Sequence, residues 1–434
     1  MMAPAIGNGR RGPSTGRIVA ALDIGTYKVC CLIGALEPSY AGGVGAPEKL
    51  RLLGFGHQRS QGIAAGAVAD MRLAQSAVAA AVTQAEQAAG LRIERVMLGV
   101  NCGELRSRTF NGHVDLPEGI VREVDIARLD AGACAFAVRD GSALVALNRI
   151  AFSLDVTAAV HEPRGLAGRR LDASHHAVTS ARGPLQNLCY LVESCHIEPA
   201  MMLPAGFASA LSATTEAERR AGVACVDIGA GVVAIAGFAD GFLVFAANVP
   251  VGGQQVTEEL AYTTATALAE AERIKTLYGS LAHRALDEHE LIEVACRDDG
   301  HGGVSMMSRA EVGRIVAGST ARLLSRVRGC LDACSIPRIR GASVVLTGGG
   351  SELVGLEGFA AAALGRSVRV SAPLRLEGAV GRLSGSVPSL AFACVVGLAL
   401  AAVSPKQWIA SGVPTTPSSD GYLGRVQQWL RESF

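Results

Sequence analysis

VACVDIGAGVVAIAGF, residues 223–238, decides how the rest of the chain is read. It is an apolar run, then Asp227-Ile228-Gly229-Ala230-Gly231, then a second apolar run. Val223, Val226, Ile228, Val232, Val233 and Ile235 are β-branched and suit the middle of a sheet. Gly229 and Gly231 permit a tight reversal and leave backbone N–H groups facing outward. Asp227 stands at the mouth of that reversal. A carboxylate there would hold the water shell of Mg²⁺ while the turn amides face a phosphate. Residues 18–33, IVAALDIGTYKVCCLI, repeat the design around Asp23-Ile24-Gly25. Each copy runs on into a third strand, at 51–57 and at 242–248. Two such units imply two similar halves facing each other across a phosphate.

These two hairpins, followed by Leu346-Thr347-Gly348-Gly349-Gly350-Ser351, resemble the actin/Hsp70/hexokinase superfamily, and in detail the FtsA family of bacterial actin-like division proteins. The resemblance runs from about residue 18 to 403 and then takes in the C-terminal tail. It implies an α/β, actin-like fold: two similar halves around a nucleotide cleft, with a small inserted subdomain in the first half. The expected division is 1–17 disordered tail; 18–95 with 181–221 first half; 96–180 insert; 222–255 with 341–403 second half; 256–340 its small subdomain; 404–419 linker; 420–434 amphipathic helix.

A chain of 434 residues with 49% apolar residues has room for several cores. Its net charge of +1 gives no reason to expect nucleic acid as a partner. No apolar run follows the first Met, so no secretory signal is expected. The 11 cysteines form no C-x-x-C pair and are odd in number, against zinc and against a full disulfide framework. The longest apolar run, 390–403, is about 14 residues against the ~20 needed to cross a bilayer, and reads as a buried helix.

In the first hairpin Lys28 is either a phosphate contact or a solvated lysine. Tyr27 stands where the family carries a small hydroxyl residue, and its phenol is expected to narrow the phosphate pocket. Residues 70–90 read as an Ala-rich helix stopped by Gly90. The insert opens with the strand 95–100, and Asp125 is expected to cap a helix over 126–138. His113, His161, His175 and His176 share no face or metal spacing and read as ordinary histidines. Residues 185–195 and 201–213 read as helices. Hydrolytic relatives carry a water-orienting Glu or Gln there, but 202–207, MLPAGF, offers neither. Ala230 and Val232 also replace a Gly and a Thr of the superfamily pattern, which would slow hydrolysis more than binding.

Glu272 and Lys275, three apart on one helix face, match FtsA's acidic-Ala-Glu-x-x-Lys helix and would flank adenosine; a surface salt bridge is the other reading. Residues 275–308 read as polar with turns. Helix 308–333 carries Arg309, Arg314, Arg322, Arg326 and Arg328, either a solvated face or the basic face that takes the C-terminal peptide of FtsZ. The strand, Gly-Gly-Gly turn and helix at 343–363 suit a nucleoside. By the resemblance, ATP and Mg²⁺ are held by Asp23, Gly25, Thr26, Tyr27, Lys28, Asp227, Gly229, Gly231, Glu272, Lys275, Gly348, Gly349, Gly350 and Ser351, with Asp23 and Asp227 meeting the metal through water.

Residues 404–419 are rich in Pro, Ser and Thr and read as a flexible linker. At the chain end Tyr422, Leu423, Val426, Trp429, Leu430 and Phe434 fall within an arc of about 140°, a face for a lipid interface or for docking on the protein's own body. The expected protein is a division adaptor at the cytoplasmic face of the inner membrane. It would bind ATP, associate with itself and other division proteins, and tether FtsZ. A sugar or acid kinase and a pilus-assembly actin relative are the alternatives.

Overall fold

The computed structural model describes residues 17–37, 49–138, 141–282, 285–295, 303–334, 336, 339, 341–373, 389–402 and 408–411. Tyr422, Leu423, Val426, Trp429, Leu430 and Phe434, residues 298–300 with the turn expected there, and residues 1–16 lie outside these.

Two five-stranded sheets share one plan. In the first, Arg17–Ile24 is central. It pairs antiparallel with Lys28–Glu37, which pairs with Lys49–Arg59. On its other side run Arg95–Val100 and then Glu198–Pro204, both parallel. In the second, Val223–Ile228 is central. Val233–Ala239 and Phe242–Val249 follow on one side, Ser343–Thr347 and Val368–Val370 on the other. The repeat seen in the sequence is therefore a repeat of the whole sheet.

The central strands read as unbroken apolar runs because both faces are covered. Val223 and Cys225 face the core that holds the first half. Ala224, Val226 and Ile228 face a second core against Leu323, Leu324 and Val327 of helix Arg309–Asp332. Two short helices join the halves. Ala205–Ala213 leaves the first sheet and packs beneath the second, while Ala393–Ala401 leaves the second half and packs beneath the first. They cross so closely that a Cβ on Gly397 would lie 1.6 Å from the Ala208 carbonyl oxygen, so only glycine fits there.

The Ala-rich helix is Met71–Ala89, with Asp70 as N-cap and Gly90 closing it at φ 69°. Several boundaries differ from the sequence reading. Arg95–Val100 belongs to the first sheet rather than the insert. Residues 201–204 are strand, and the helix begins only at Ala205; Pro204 lacks an N–H and ends the edge strand. Asp125 lies inside helix Glu123–Ala137, its carboxylate accepting from the Arg122 N–H, so Arg122 is the cap. Residues 275–308 contain a two-stranded sheet, Leu291–Ala295 with Val304–Ser308. The Gly-rich turn leads first into a short 3₁₀ turn, and helix Leu356–Leu364 starts later than expected.

The insert is a sheet of Arg106–Asp115, Arg170–Ala181 and Ser142–Leu154 with Glu123–Ala137 packed on it. Its outer edge carries a surprise. Trp408–Ser411, read as linker, is a strand paired antiparallel with Ala146–Asn148. Pairing fills an otherwise open edge, which composition alone does not reveal.

Candidate functional site

The two hairpin tips are built alike. The Gly25 N–H donates to Lys28 O at 2.9 Å, and the Gly229 N–H to Val232 O at 3.0 Å. The tips meet: a Cβ on Gly231 would stand 2.6 Å from Thr26 Oγ1, which also accepts from the Gly66 N–H at 3.2 Å. Tyr27 does not narrow this contact. The residue is 48% exposed and the Arg59 guanidinium lies 4.9 Å from its ring centroid, so the phenol turns outward.

Behind the tips sit the two carboxylates. Ser209 donates its hydroxyl to Asp227 Oδ2. Asp227 Oδ1 lies where a Gly348 side chain would begin, 2.0 Å from an ideal Cβ, and Gly348 has φ 84°. Burial pushes the Asp227 pKa up to about 6; the Ser209 hydrogen bond opposes this, the Asp23 charge adds to it and Lys28 opposes it. Asp23 is likewise raised by burial, against the pull of Lys28 and a hydrogen bond from the Cys394 thiol. Two desolvated carboxylates, with the Asp23 charge adding to the rise at Asp227, form a site suited to a cation.

One turn ties these parts together. Leu390 O accepts from the Gly348 N–H at 3.1 Å. Ala391 O accepts from Lys28 Nζ, and that ammonium stands 4.3 Å from the Phe392 ring centroid. Ala393 O accepts from Ser212 Oγ at 2.8 Å, and Cys394 bonds Asp23. Residues 390–394 thus touch the Gly-rich turn, the first hairpin, the connecting helix and Asp23 in succession. The sequence reading saw only an apolar helix here.

On the far side, Lys275 Nζ reaches Glu272 Oε2 at 2.7 Å, Thr257 Oγ1 at 2.8 Å and Gly253 O at 3.2 Å. Thr257 in turn donates to Glu272 at 2.5 Å. A Cβ on Gly253 would lie 3.8 Å from Gly350 Cα and 4.0 Å from Lys275 Nζ, so this cluster opens on the Gly-rich turn. The Gly253 N–H donates to Gly229 O at 2.9 Å, which joins the cluster to the second tip. Ser351 turns inward, its hydroxyl donating to Thr347 O at 2.6 Å. Gly349 packs on Ala391.

ATP with Mg²⁺ fits these residues. Asn101 Oδ1 and Thr347 Oγ1 are buried without a hydrogen-bond partner. Both lie at carboxyl ends of parallel strands, where ligands of α/β sheets bind. Asn101 O also lies 2.4 Å from the Cβ position of Gly66, beside Thr26 and Val232. Among the described residues no group of three or more His, Cys, Asp or Glu side chains could hold a metal directly. Asp23 and Asp227 are the two carboxylates that burial places behind the tips.

Sequence reasoning missed Ser209, Cys394, Asn101 and Thr257. Ser209 lies two residues beyond 202–207, where a water-orienting group is expected. Asn101 follows directly on strand Arg95–Val100, a position that the strand-end rule would have flagged. The arginines of helix Arg309–Asp332 do not form one free basic face. Arg309 pairs with Glu290 at 3.0 Å, Arg322 with Glu259, and Arg328 with Asp332 at 3.4 Å. His175 and His176 are fully buried within the insert sheet.

Paired sheets, facing Asp-Ile-Gly tips and a Gly-rich third turn define the actin-like class. Solved structures agree: a PilM–PilN type IV pilus biogenesis complex aligns with TM-score 0.58 at 16% identity, over 89% of this chain and 99% of that one. MreB5 of Spiroplasma citri bound to ADP aligns with TM-score 0.52 at 14% identity, over 91% of this chain and 98% of that one. Residues 224–397 match the family model described as Cell division protein FtsA, and residues 102–179 that of the SHS2 domain inserted in FTSA. Cell division protein FtsA of Rhizobium meliloti is 33% identical over 96% of this chain and 95% of its own length. Those of Neisseria meningitidis and Escherichia coli K12 are 29% and 27% identical over 96% of this chain, covering 99% and 98% of their own lengths. The chain belongs to the FtsA family of cell division proteins.

Proposed function

We propose that this chain is an ATP-binding adaptor of cell division. It associates with itself, holds the C-terminal peptide of FtsZ through residues 256–340, and lies on the cytoplasmic face of the inner membrane at the division site through residues 420–434. The convergence of Asp23, Asp227, Gly348 and Lys275 on one cleft carries the nucleotide part. Bound Mg²⁺–ATP would supply a phosphate charge that the hairpin amides and Lys28 receive. Asp23 and Asp227 order the water around the cation, while Glu272 and Lys275 flank the nucleoside. Turnover is slow: Leu203 and Phe207 are apolar and buried where a water-orienting group would stand, and Val232 brings no hydroxyl.

A groove of about 600 Å³ supports the peptide part. Helix Gly253–Thr263 lines it with Glu258, Glu259 and Tyr262, and helix Arg309–Asp332 with Ser319, Arg322 and Arg326. Acidic groups of a peptide would compete with Glu259 for Arg322, so binding weakens with salt. Among the described residues no helix is long and apolar enough to cross a membrane. The tail is the feature of the sequence suited to a lipid surface.

Co-sedimentation with anionic liposomes tests the adaptor reading, comparing the full chain with one ending at Ser419, each with and without ATP. The shorter chain keeps strand Trp408–Ser411 and so leaves the insert sheet complete. The full chain should sediment with lipid, more so with ATP, and the shorter chain should stay in solution. Equal sedimentation of both removes the tail as anchor.

A further inference from the structure

Ser209 has no surface to present. It is 0% exposed on helix Ala205–Ala213, and its hydroxyl donates to Asp227 Oδ2. Its carbonyl accepts from Ser212 Oγ at 2.9 Å, and that same hydroxyl reaches Ala393 O at 2.8 Å. The other oxygen of Asp227 is pressed on Gly348. The carboxylate is therefore gripped at both ends, by the connecting helix on one side and the Gly-rich turn on the other.

We propose that Ser209 is a positioning residue that aims the Asp227 carboxylate at the water shell of the nucleotide's Mg²⁺. The inference rests on the nucleotide reading above. A lone carboxylate turns about its Cβ–Cγ bond, and fixing it must be offset when the cation arrives. A buried hydroxyl that fixes it beforehand removes that cost, and hydrogen bonds to charged groups are the strong ones. The grip also explains a polar residue in a helix whose buried positions, Ser209 and Ser212 apart, are Ala, Gly and Phe. Ser212 Oγ lies within reach of both Ser209 O and Ala393 O and donates its single proton to one or the other, so it sits between the Ser209 backbone and residue 393. The effect belongs to the cation, because Ser209 touches Asp227 and none of the turn amides that would meet phosphate.

The test measures binding of a fluorescent ATP analogue to the full-length parent, Ser209→Ala and Ser209→Thr, in Mg²⁺ and in EDTA. The parent should bind more tightly in Mg²⁺. Ser209→Ala should weaken binding about tenfold or more in Mg²⁺, the loss expected for a hydrogen bond to a charged group, and leave the EDTA value unchanged. Ser209→Thr keeps the hydroxyl and should restore the parent value. If Ser209→Ala fails to fold by circular dichroism, Ser209→Cys keeps the volume with a weak donor and should show the same Mg²⁺-specific loss. An Ala or Cys variant equal to the parent, an equal loss in both buffers, or a Thr variant as weak as the Ala variant overturns the inference. A parent that binds equally in both buffers overturns the inference and the cation role of Asp227 but leaves nucleotide binding standing, whereas a parent that binds in neither overturns the nucleotide reading as well.

Discussion

Lys28 Nζ stands 4.3 Å from the centroid of the Phe392 ring and donates to the carbonyl beside it. The first hairpin is thereby fastened to the turn that also touches Asp23 and Gly348. Phe392 packs edge-on against Phe55 at 5.1 Å, so the ring anchors both the cation and the sheet. Phe392→Ala should cost about 2 kcal/mol through lost aromatic and cation–π contact. A thermal melt of the nucleotide-free protein should show a lower midpoint. Added Mg²⁺–ATP should recover part of it, because phosphate offers Lys28 a second partner.

Asp227 makes stability depend on pH in a stated direction. Its pKa is raised from 3.8 unfolded to about 6 folded. Its favourable contribution is complete below the unfolded value and is lost as pH rises through 6. Above pH 6 the ionised, buried group costs on the order of 2–3 kcal/mol at 1.36 kcal/mol per pKa unit. Asp227→Asn should therefore raise the melting temperature of the nucleotide-free protein at pH 7.5, and the gain should shrink as pH falls toward 5. The same variant should lose the Mg²⁺-dependent part of nucleotide binding. A melt series across pH checks the first outcome and a titration the second.

A polar seam holds the insert to the second half. Asn148 Nδ2 donates to Leu243 O at 3.0 Å, its Oδ1 meets His176 Nδ1 at 3.1 Å, and Ser107 bonds both His176 and the Ala246 N–H. Leu243 and Ala246 lie on an edge strand, so the seam covers that edge. Asn148→Ala should cost roughly 1–3 kcal/mol by stranding buried partners. Amide exchange should quicken in Phe242–Val249 and also in Trp408–Ser411, which pairs with Asn148. Exchange unchanged in both strands would count against the seam.

His176 adds an acid limit to the same seam. Burial lowers its pKa from 6.5 to about 3. Its contribution is present above pH 6.5 and is lost as pH falls from there toward 3. Exchange in Phe242–Val249 should rise below pH 6 once corrected for the intrinsic rate, and His176→Gln should flatten that rise.

Trp429→Glu places a charge in the apolar arc of the tail. It should release the full chain from liposomes while leaving nucleotide affinity unchanged, since residue 429 is none of the residues expected to hold nucleotide. One tail buries its aromatics only partly at an interface, so binding should strengthen when several copies associate. Co-sedimentation at rising protein concentration reads this out. Retention of Trp429→Glu on lipid would favour a tail docked on the protein's own body.

The hairpins at Asp23 and Asp227, the Gly-rich turn and the Ala-rich helix with its Gly90 stop are legible in the sequence because each is local. Apolar period, turn glycines and caps act within about a dozen residues. Glu272 and Lys275 are legible for the same reason, three apart on a helix. What only the tertiary structure decides is contact between distant stretches. Lys28 meets Ala391 across 363 positions, Ser212 meets Ala393 across 181, and Asn148 meets Leu243 across 95. No periodicity marks such partners, since an apolar run serves equally as a core helix or as a turn whose carbonyls accept from Gly348, Lys28 and Ser212. Strand Trp408–Ser411 is hidden for a related reason: a Pro- and Ser-rich stretch becomes a strand only when an open sheet edge supplies its hydrogen bonds.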